Sequence, residues 1–444
     1  MQSFYGWQLI LDIKKINKYI ILVVHHAPHP QREQKYLWRM IMKRLAEFSI
    51  SLGFIILFPV FLSANTIIVP DDSTTIQAGI NGAFEGDTVL VRSGIYYGAG
   101  NIGLDFNGKN IAVVGETGSA STVIDGQYGY PGYDRGFYLH SGENATSIID
   151  GFSLFNCIPS LPGGGGGGIC CEGASPQIKN CYFQQCSGYI GGGIGCFDGA
   201  SPTIRNCTFI GNGMAFGGAV GANSASPILE SCLIVKNVTA FGGGSVAGFL
   251  SYIICDNVTF SGNYCGEAGT GGTVYCDNSA IELTDCIITF GPAGEPVSLV
   301  DTSVAYMSCC DVYGNADGDW VGDITGQSGE NGNFSADPFF CDTLGYGDYR
   351  LAANSPCLPD YNDCGVLIGA YGAGCYTRIC GDVNGDYIID IFDITHLIFY
   401  LYMDGLQPVD FQMADVNGDG ELNIFDISYL ISYLYLGGPA PNCP

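Results

Sequence analysis

The sequence predicts a mainly β chain, a solenoid of coils about 25 residues long, followed by a small all-α module. Three observations predict it. A nine-residue segment recurs through the middle of the chain at intervals of 26, 25, 26 and 28 residues. Glycine-rich runs precede most copies, so many of the 66 glycines sit at regular intervals rather than in a linker. Near the C-terminus a twelve-residue Asp/Asn pattern appears twice, 33 residues apart, and each copy runs into apolar residues spaced i, i+3, i+4, i+7.

From the N-terminus, Arg39 to Ala64 reads as a secretory signal, placed at about residues 40–64. Lys43 and Arg44 form its basic end, Ile50 to Leu62 its apolar core, and Leu62-Ser63-Ala64 a permissible cleavage site. The apolar run is shorter than the ~20 residues that a stable transmembrane span needs. Residues 1–39 lie upstream of that signal, and Met40 or Met42 would be a more natural start. The domains expected are 1–64 (extension plus signal), 65–375 (solenoid) and 380–444 (helical module). Thr74 to Ala83 opens the solenoid as a short helical pattern, with Ile76, Ile80 and Ala83 on one side.

The repeat begins clearly at Ser175-Pro176-Gln177-Ile178-Lys179-Asn180-Cys181-Tyr182-Phe183. It returns at Ser201 to Phe209 and Ser226 to Ile234, with weaker copies ending at Phe260 and Ile288. Gly166-Gly167-Gly168-Ile169, Gly191-Gly192-Gly193-Ile194, Gly217-Gly218-Ala219-Val220 and Gly271-Gly272-Thr273-Val274 precede them. Each unit holds two or three short β runs. A lone coil cannot bury its apolar side, whereas coils stacked about 4.8 Å apart bury it continuously. Equivalent residues then stand in columns: a turn ladder of Asn180, Asn206 and Asn257; inward thiols Cys181, Cys207, Cys232 and Cys286; a second thiol column Cys171, Cys196 and Cys276. The layout resembles the right-handed parallel β-helix proteins of the pectate-lyase-like superfamily. That resemblance implies that the Thr74–Ala83 helix caps the first coil. It implies no single activity, because the fold hosts many.

In the C-terminal pattern, Asp382, Asn384, Asp386, Asp390 and Asp393 fall at loop positions 1, 3, 5, 9 and 12, as do Asp415, Asn417, Asp419, Asn423 and Asp426. That is the oxygen-donor order of a calcium loop, in which position 7 lends its carbonyl. Ile394, Leu397, Ile398 and Leu401 follow the first loop at helical spacing, and Ile427, Leu430, Ile431 and Leu434 the second. Two loop-helix units with Asp at position 12 resemble a type I dockerin. The resemblance implies one Ca2+ per loop, with Ile388 and Glu421 as the carbonyl ligands, and a cohesin-type protein as partner. Position 6 is Gly420 in the second loop but Tyr387 in the first, so the first site is expected to be weaker. Positions 10 and 11 are apolar in both copies, Ile391-Phe392 and Ile424-Phe425, and read equally as a contact patch or as core.

Twenty cysteines in an exported chain suggest disulfides. Stacked column thiols point in parallel, which is poor bridging geometry, so they read as free or partly bridged. Cys357 and Cys364 flank a turn and read as a pair; Cys380 and Cys443 bracket the helical module and would clasp its ends.

Charge excludes some functions. From residue 65 on there are 8 Lys/Arg against 40 Asp/Glu, which argues against nucleic acid and anionic membrane as partners. Candidate catalytic groups are few. Asp134 with His140 could perform acid–base chemistry, with Arg135 and the tyrosines 128, 130 and 133 nearby. The alternation of Phe137 and Leu139 with Tyr138 and His140 equally suits an ordinary half-buried strand. Lys179, Arg205 and Glu230 share one repeat position and read as a solvated column. Asp317, Asp319 and Asp323 lie in a stretch that breaks the period and reads as an excursion loop, with a further calcium site as the rival. The reading is therefore a bacterial, secreted or surface protein, carbohydrate-binding or structural, tethered to a cohesin in a polysaccharide-catabolic setting. The alternative is a scaffold-borne glycoside hydrolase or polysaccharide lyase.

Overall fold

In the computed structural model the described residues are 64–126, 135–159, 164–266, 271–343, 347–375, 379–386, 388–403 and 405–443, together with the backbone of two N-terminal strands. Those strands, Leu11–Ile16 and Tyr19–Val24, pair antiparallel and belong to a unit of their own, residues 1–63. The expected signal core lies outside the described residues, as do Asp134, the tyrosines 128, 130 and 133, and Tyr387.

From Ala64 onward the chain winds as stacked coils whose strands align in parallel sheets of ten, nine and seven strands, plus a strip of four, among the described residues. One coil shows the plan. Ile169–Glu172 lies in the seven-stranded sheet, Gln177–Lys179 in the ten-stranded, Tyr182–Gln184 in the nine-stranded and Ser187–Ile190 in the strip. Register is kept from coil to coil: Ile178 pairs with Ile204, Phe183 with Phe209, Cys171 with Cys196. Because the sheet period is two, alternate residues enter the interior, and stacking makes each interior position a column. Phe183 and Phe209 stack with centroids 4.6 Å apart and planes within 7°.

Corners rather than strands set the period. Asn180, Asn206, Ser231, Asn257 and Asp285 each turn the chain with φ between 51° and 53°. Asn and Asp tolerate this left-handed region best among residues with a side chain, which explains the repeat's Asn. Asn180 and Asn206 stand on the surface, their side chains 3.5 Å apart. The tighter ladder is elsewhere. Asn212, Asn237 and Asn263 are fully buried; the Oδ1 of Asn237 accepts from the backbone N–H and the Nδ2 of Asn212, that of Asn263 from those of Asn237, all at 2.9–3.0 Å, and Asn212 Oδ1 starts the ladder by accepting from the Cys186 N–H. Their Nδ2 groups also donate to the carbonyls of Phe183, Phe209 and Ile234. Buried amides with every bond made fix coil register as well as stability.

The glycine runs have a steric cause. The four-stranded strip folds flat over the outer face of the seven-stranded sheet. The runs of successive coils stack backbone on backbone, so a Cβ at Gly167 would lie 2.4 Å from the Gly192 oxygen and one at Gly192 2.5 Å from the Gly218 oxygen, while one at Gly221 would lie 2.6 Å from Cγ2 of Ile190 in the strip. Only glycine permits that approach. At the N-terminal end the helix Ile76–Gly82, capped by Thr75, buries Ile76 and Ile80 against the first coil. It thereby covers an otherwise open edge.

All fourteen thiols of the free cysteines are buried. Cys181, Cys207, Cys232, Cys286 and Cys310 each donate to the carbonyl two residues earlier, so they act as small apolar residues with a weak donor. Ala222 and Gly248 continue the Cys171–Cys196 column before Cys276. The expected Cys357–Cys364 pair is not formed. Cys364 bonds to Cys309, and Cys341 to Cys375. The reason is that residues after Phe339 fold back over the nine-stranded sheet. Phe340, Tyr349, Leu351 and Cys357 are buried there against Ile210, Leu233, Val235 and Ile287, which aims Cys357 inward while Cys364 meets the last corner. The excursion carboxylates cap backbone: Asp317 accepts from Gly294 N–H, Asp323 from Leu299 N–H, and Asp319 from Asn315.

Candidate functional site

The C-terminal module folds around Val383, Ile394, Leu397, Ala414, Val416, Ile427 and Leu430. Helices Ile391–Tyr402 and Ile424–Leu436 supply the spaced residues that form this core, and a short turn of helix, Phe411–Ala414, bridges the two units. Asp390 and Asn423 cap the two long helices in reciprocal boxes with Asp393 and Asp426. Gly437, at φ 70°, ends the second. A Cys380–Cys443 disulfide joins the ends of the module across 63 residues.

Each loop turns on its own carboxylates. Asp382 Oδ1 accepts from the N–H groups of Gly385 and Asp386, and Asp415 Oδ1 from those of Gly418 and Asp419. Asn384 and Asn417 each accept from position 5 and donate back to its carboxylate, Asp386 or Asp419. Asp393 is fully buried and its Oδ1 accepts from Val383 and Asn384. Asp426 is equally buried, but its Oδ1 has no hydrogen-bond partner among the described residues. Burial pushes both carboxyls above the ordinary range, against the pull of backbone N–H donors; Asp382 adds to the rise at Asp393, Asp415 and Asp419 at Asp426. Loops of oxygen donors, with four carboxylates at the donor positions of the first and three at those of the second, and in the second a buried carboxylate oxygen left unbonded, fit a hard divalent cation. Among the described residues no three acidic, His or Cys side chains converge so as to hold a metal ion. Ile388 is exposed, and the Glu421 carbonyl accepts from Asn423 Nδ2 at 3.4 Å.

On the solenoid, Arg135 and His140 both contact Tyr138, and two carboxylates with no marking motif in the sequence, Asp105 and Glu172, join them. The Arg135 guanidinium lies 4.6 Å from the Tyr138 ring centre, and the rings of Tyr138 and His140 are 4.3 Å apart. His140 Nε2 stands 3.3 Å from Asp105. Tyr138 donates to Glu172 at 2.5 Å, a bond that pushes its hydroxyl up to about 12, with burial adding to it. Glu172 was detectable: it sits in the outward register of the next coil, where Cys170 pairs with Tyr138. Lys179, Arg205 and Glu230 align in register, and Arg205 pairs with Glu230 while Lys179 is 3.9 Å from Asp150. Such exposed pairs contribute about 0–1 kcal/mol.

Comparison with known families decides the architecture. A model of the right-handed β-helix region matches residues 118–315, and one of the type I dockerin domain matches 380–435. The chain joins a right-handed β-helix to a type I dockerin. No curated protein matches it. Among solved structures, a pectin methylesterase from Aspergillus niger is 16% identical with a TM-score of 0.31, covering 57% of this chain and 85% of its own. The catalytic domain of an α-1,3-glucanase in complex with tetrasaccharides is 13% identical with a TM-score of 0.28, covering 57% of this chain and 60% of its own. Type I dockerins bind calcium and dock onto cohesins. In this dockerin Ile391, Phe392, Ile424 and Phe425 are 44–66% exposed, so of the two readings they are surface and not core. Among the described residues no helix is long and apolar enough to cross a membrane.

Proposed function

We propose that this is an exported bacterial protein whose dockerin, loaded with two calcium ions, tethers it to a cohesin, and whose β-helix binds polysaccharide without cleaving it. The observation that carries the reading is the dockerin itself. The duplicated loops present matching exposed pairs, Ile391-Phe392 and Ile424-Phe425, at the start of helices whose geometry depends on the loop carboxylates. The loops would hold calcium through Asp382, Asn384, Asp386, Ile388, Asp390 and Asp393, and through Asp415, Asn417, Asp419, Glu421, Asn423 and Asp426. Bound calcium supplies the positive charge that lets these carboxylates stay together. Exposed apolar area beside them supplies the contact surface.

The full chain passed over a panel of immobilised cohesins is expected to be retained with calcium and released by chelator. Retention unaffected by chelator, or none on any cohesin, would reject the tether. The second reading, a polysaccharide-degrading enzyme, is favoured by one observation: the Tyr138–Glu172 and His140–Asp105 pairs lie on one outer face. Release of reducing or unsaturated sugar ends when the full chain is incubated with a set of acidic and neutral glycans would replace binding by cleavage.

A further inference from the structure

We propose that the four-stranded strip carries a binding platform for an uncharged polysaccharide strand, built on Tyr189, Phe216 and Phe241. This rests on the carbohydrate reading above and assigns it a place and a ligand class. The three rings come from successive coils. Phe216 lies at the centre, 6.1 Å from Tyr189 and 5.6 Å from Phe241, and it packs 5.0 Å from Phe249. Tyr189 is 40% and Phe241 47% exposed, and Leu250 beside them 67%. The interior columns are already filled, so these rings are surplus to the core.

Their placement is built into the backbone. The strip pairs Met214 with Thr239 but Phe216 with Gly242, so one extra residue bulges between them and sets Phe241 outward. Bulges of this kind re-aim side chains. Met214 itself holds φ at 133°, a region that side-chain-bearing residues rarely adopt. The end of the strip lies close on the seven-stranded sheet: a Cβ at Gly195 would lie 2.8 Å from the Ile190 oxygen, and one at Gly221 2.6 Å from Ile190 Cγ2. Successive rings follow the coil spacing of about 5 Å, giving about 10 Å of aromatic surface, the scale of a short oligosaccharide.

The polar border defines the ligand. Asn223, Asp277 and Asn278 line the depression beside Tyr189, Phe216 and Phe249, and among the described residues no Lys, Arg or His lines it. Asn278 Nδ2 reaches both Asp277 and Asp301. Sugar rings offer flat C–H faces to aromatic rings and hydroxyls to amides and carboxylates. An acidic border repels uronate or sulfate chains and accepts neutral ones. A protein partner would need about 800 Å² of surface on each side, far more than this narrow strip offers.

The test is affinity electrophoresis of the full chain through gels containing a neutral β-glucan, a xylan, a mannan or polygalacturonate. The wild type is compared with Tyr189→Ala, Phe241→Ala and the double variant. Cohesin capture and melting temperature report folding, and size-exclusion chromatography reports self-association. Retardation by at least one neutral polymer, no retardation by polygalacturonate and about tenfold weaker binding in the double variant support the platform. Unchanged neutral-glycan binding in the double variant overturns the platform and leaves the carbohydrate reading standing. Retardation by polygalacturonate alone overturns the ligand class. A wild-type dimer that the double variant dissolves, with no glycan retardation, makes the strip an interface between copies and overturns both.

Discussion

Asp311 sets the residue scale. It is fully buried where the C-terminal segment folds over the last coil, with Cys357 donating to one oxygen at 3.4 Å and Ala336 N–H to the other at 3.0 Å. Burial pushes its carboxyl up to about 8. In the unfolded chain an Asp titrates near about 3.9. Between those values the folded state keeps a proton that the unfolded state has lost, so the contribution of this group to stability falls as pH rises from about 4 to about 8. Asp311→Asn cannot ionise and retains the Ala336 contact. Its melting temperature is expected to fall less than that of the wild type between pH 5 and pH 8, and parallel curves would refute the assignment. No sequence signal marks this residue, because its burial depends on a segment that returns from beyond residue 339. The buried Asn ladder, by contrast, was readable. Gly211-Asn212-Gly213, Lys236-Asn237-Val238 and Gly262-Asn263-Tyr264 recur at the coil interval. The surface-corner Asn shares that interval, so period alone does not tell the buried ladder from the exposed one. Asp134 remains a proposal from sequence, while Arg135 and His140 are joined by Tyr138, Glu172 and Asp105.

At the scale of elements, strands and long helices were legible because their periods differ, two against 3.6, and each was repeated. The short helix Phe411–Ala414 was not, since four residues carry no period. The fold-back of residues after Phe339 was hidden for a related reason: it pairs by surface complementarity, not by repetition. The loop-helix units yield the element-scale prediction. Each long helix starts from a loop whose carboxylates crowd together, so removing calcium leaves repulsion at both N-terminal boxes. Chelator treatment of the full chain is expected to lower the dockerin melting transition and its helical ellipticity, with excess calcium restoring both. The β-helix transition should stay where it was. Asp426→Asn is expected to weaken the calcium response while keeping the Asn423 cap. A dockerin transition indifferent to chelator would remove the calcium claim.

For the whole molecule, the division of sulfur decides behaviour. All three disulfides lie beyond residue 308, and the coils upstream hold only free buried thiols. The Cys380–Cys443 closure restricts the unfolded dockerin by about 4 kcal/mol on the loop-entropy model. In a domain of that size this corresponds to a shift of about 15–30 °C. Calorimetry of the full chain in dithiothreitol is therefore expected to show the dockerin transition falling by tens of degrees and the β-helix transition moving little. A large fall in the β-helix transition would mean that the coils depend on the bridges at their C-terminal end. The column thiols bear on how the molecule comes into being. Stacked, they are buried away from oxidants, and burial pushes the thiols of Cys171, Cys196, Cys207, Cys255, Cys276 and Cys286 up. In a newly made or melted chain, twenty sulfurs meet air together, and only three of the many possible pairings are native. Assembly is then a race between coil upon coil closing over its thiols and the first wrong bond. The winding itself, once begun from the capped end, takes reactive sulfur out of circulation one turn at a time.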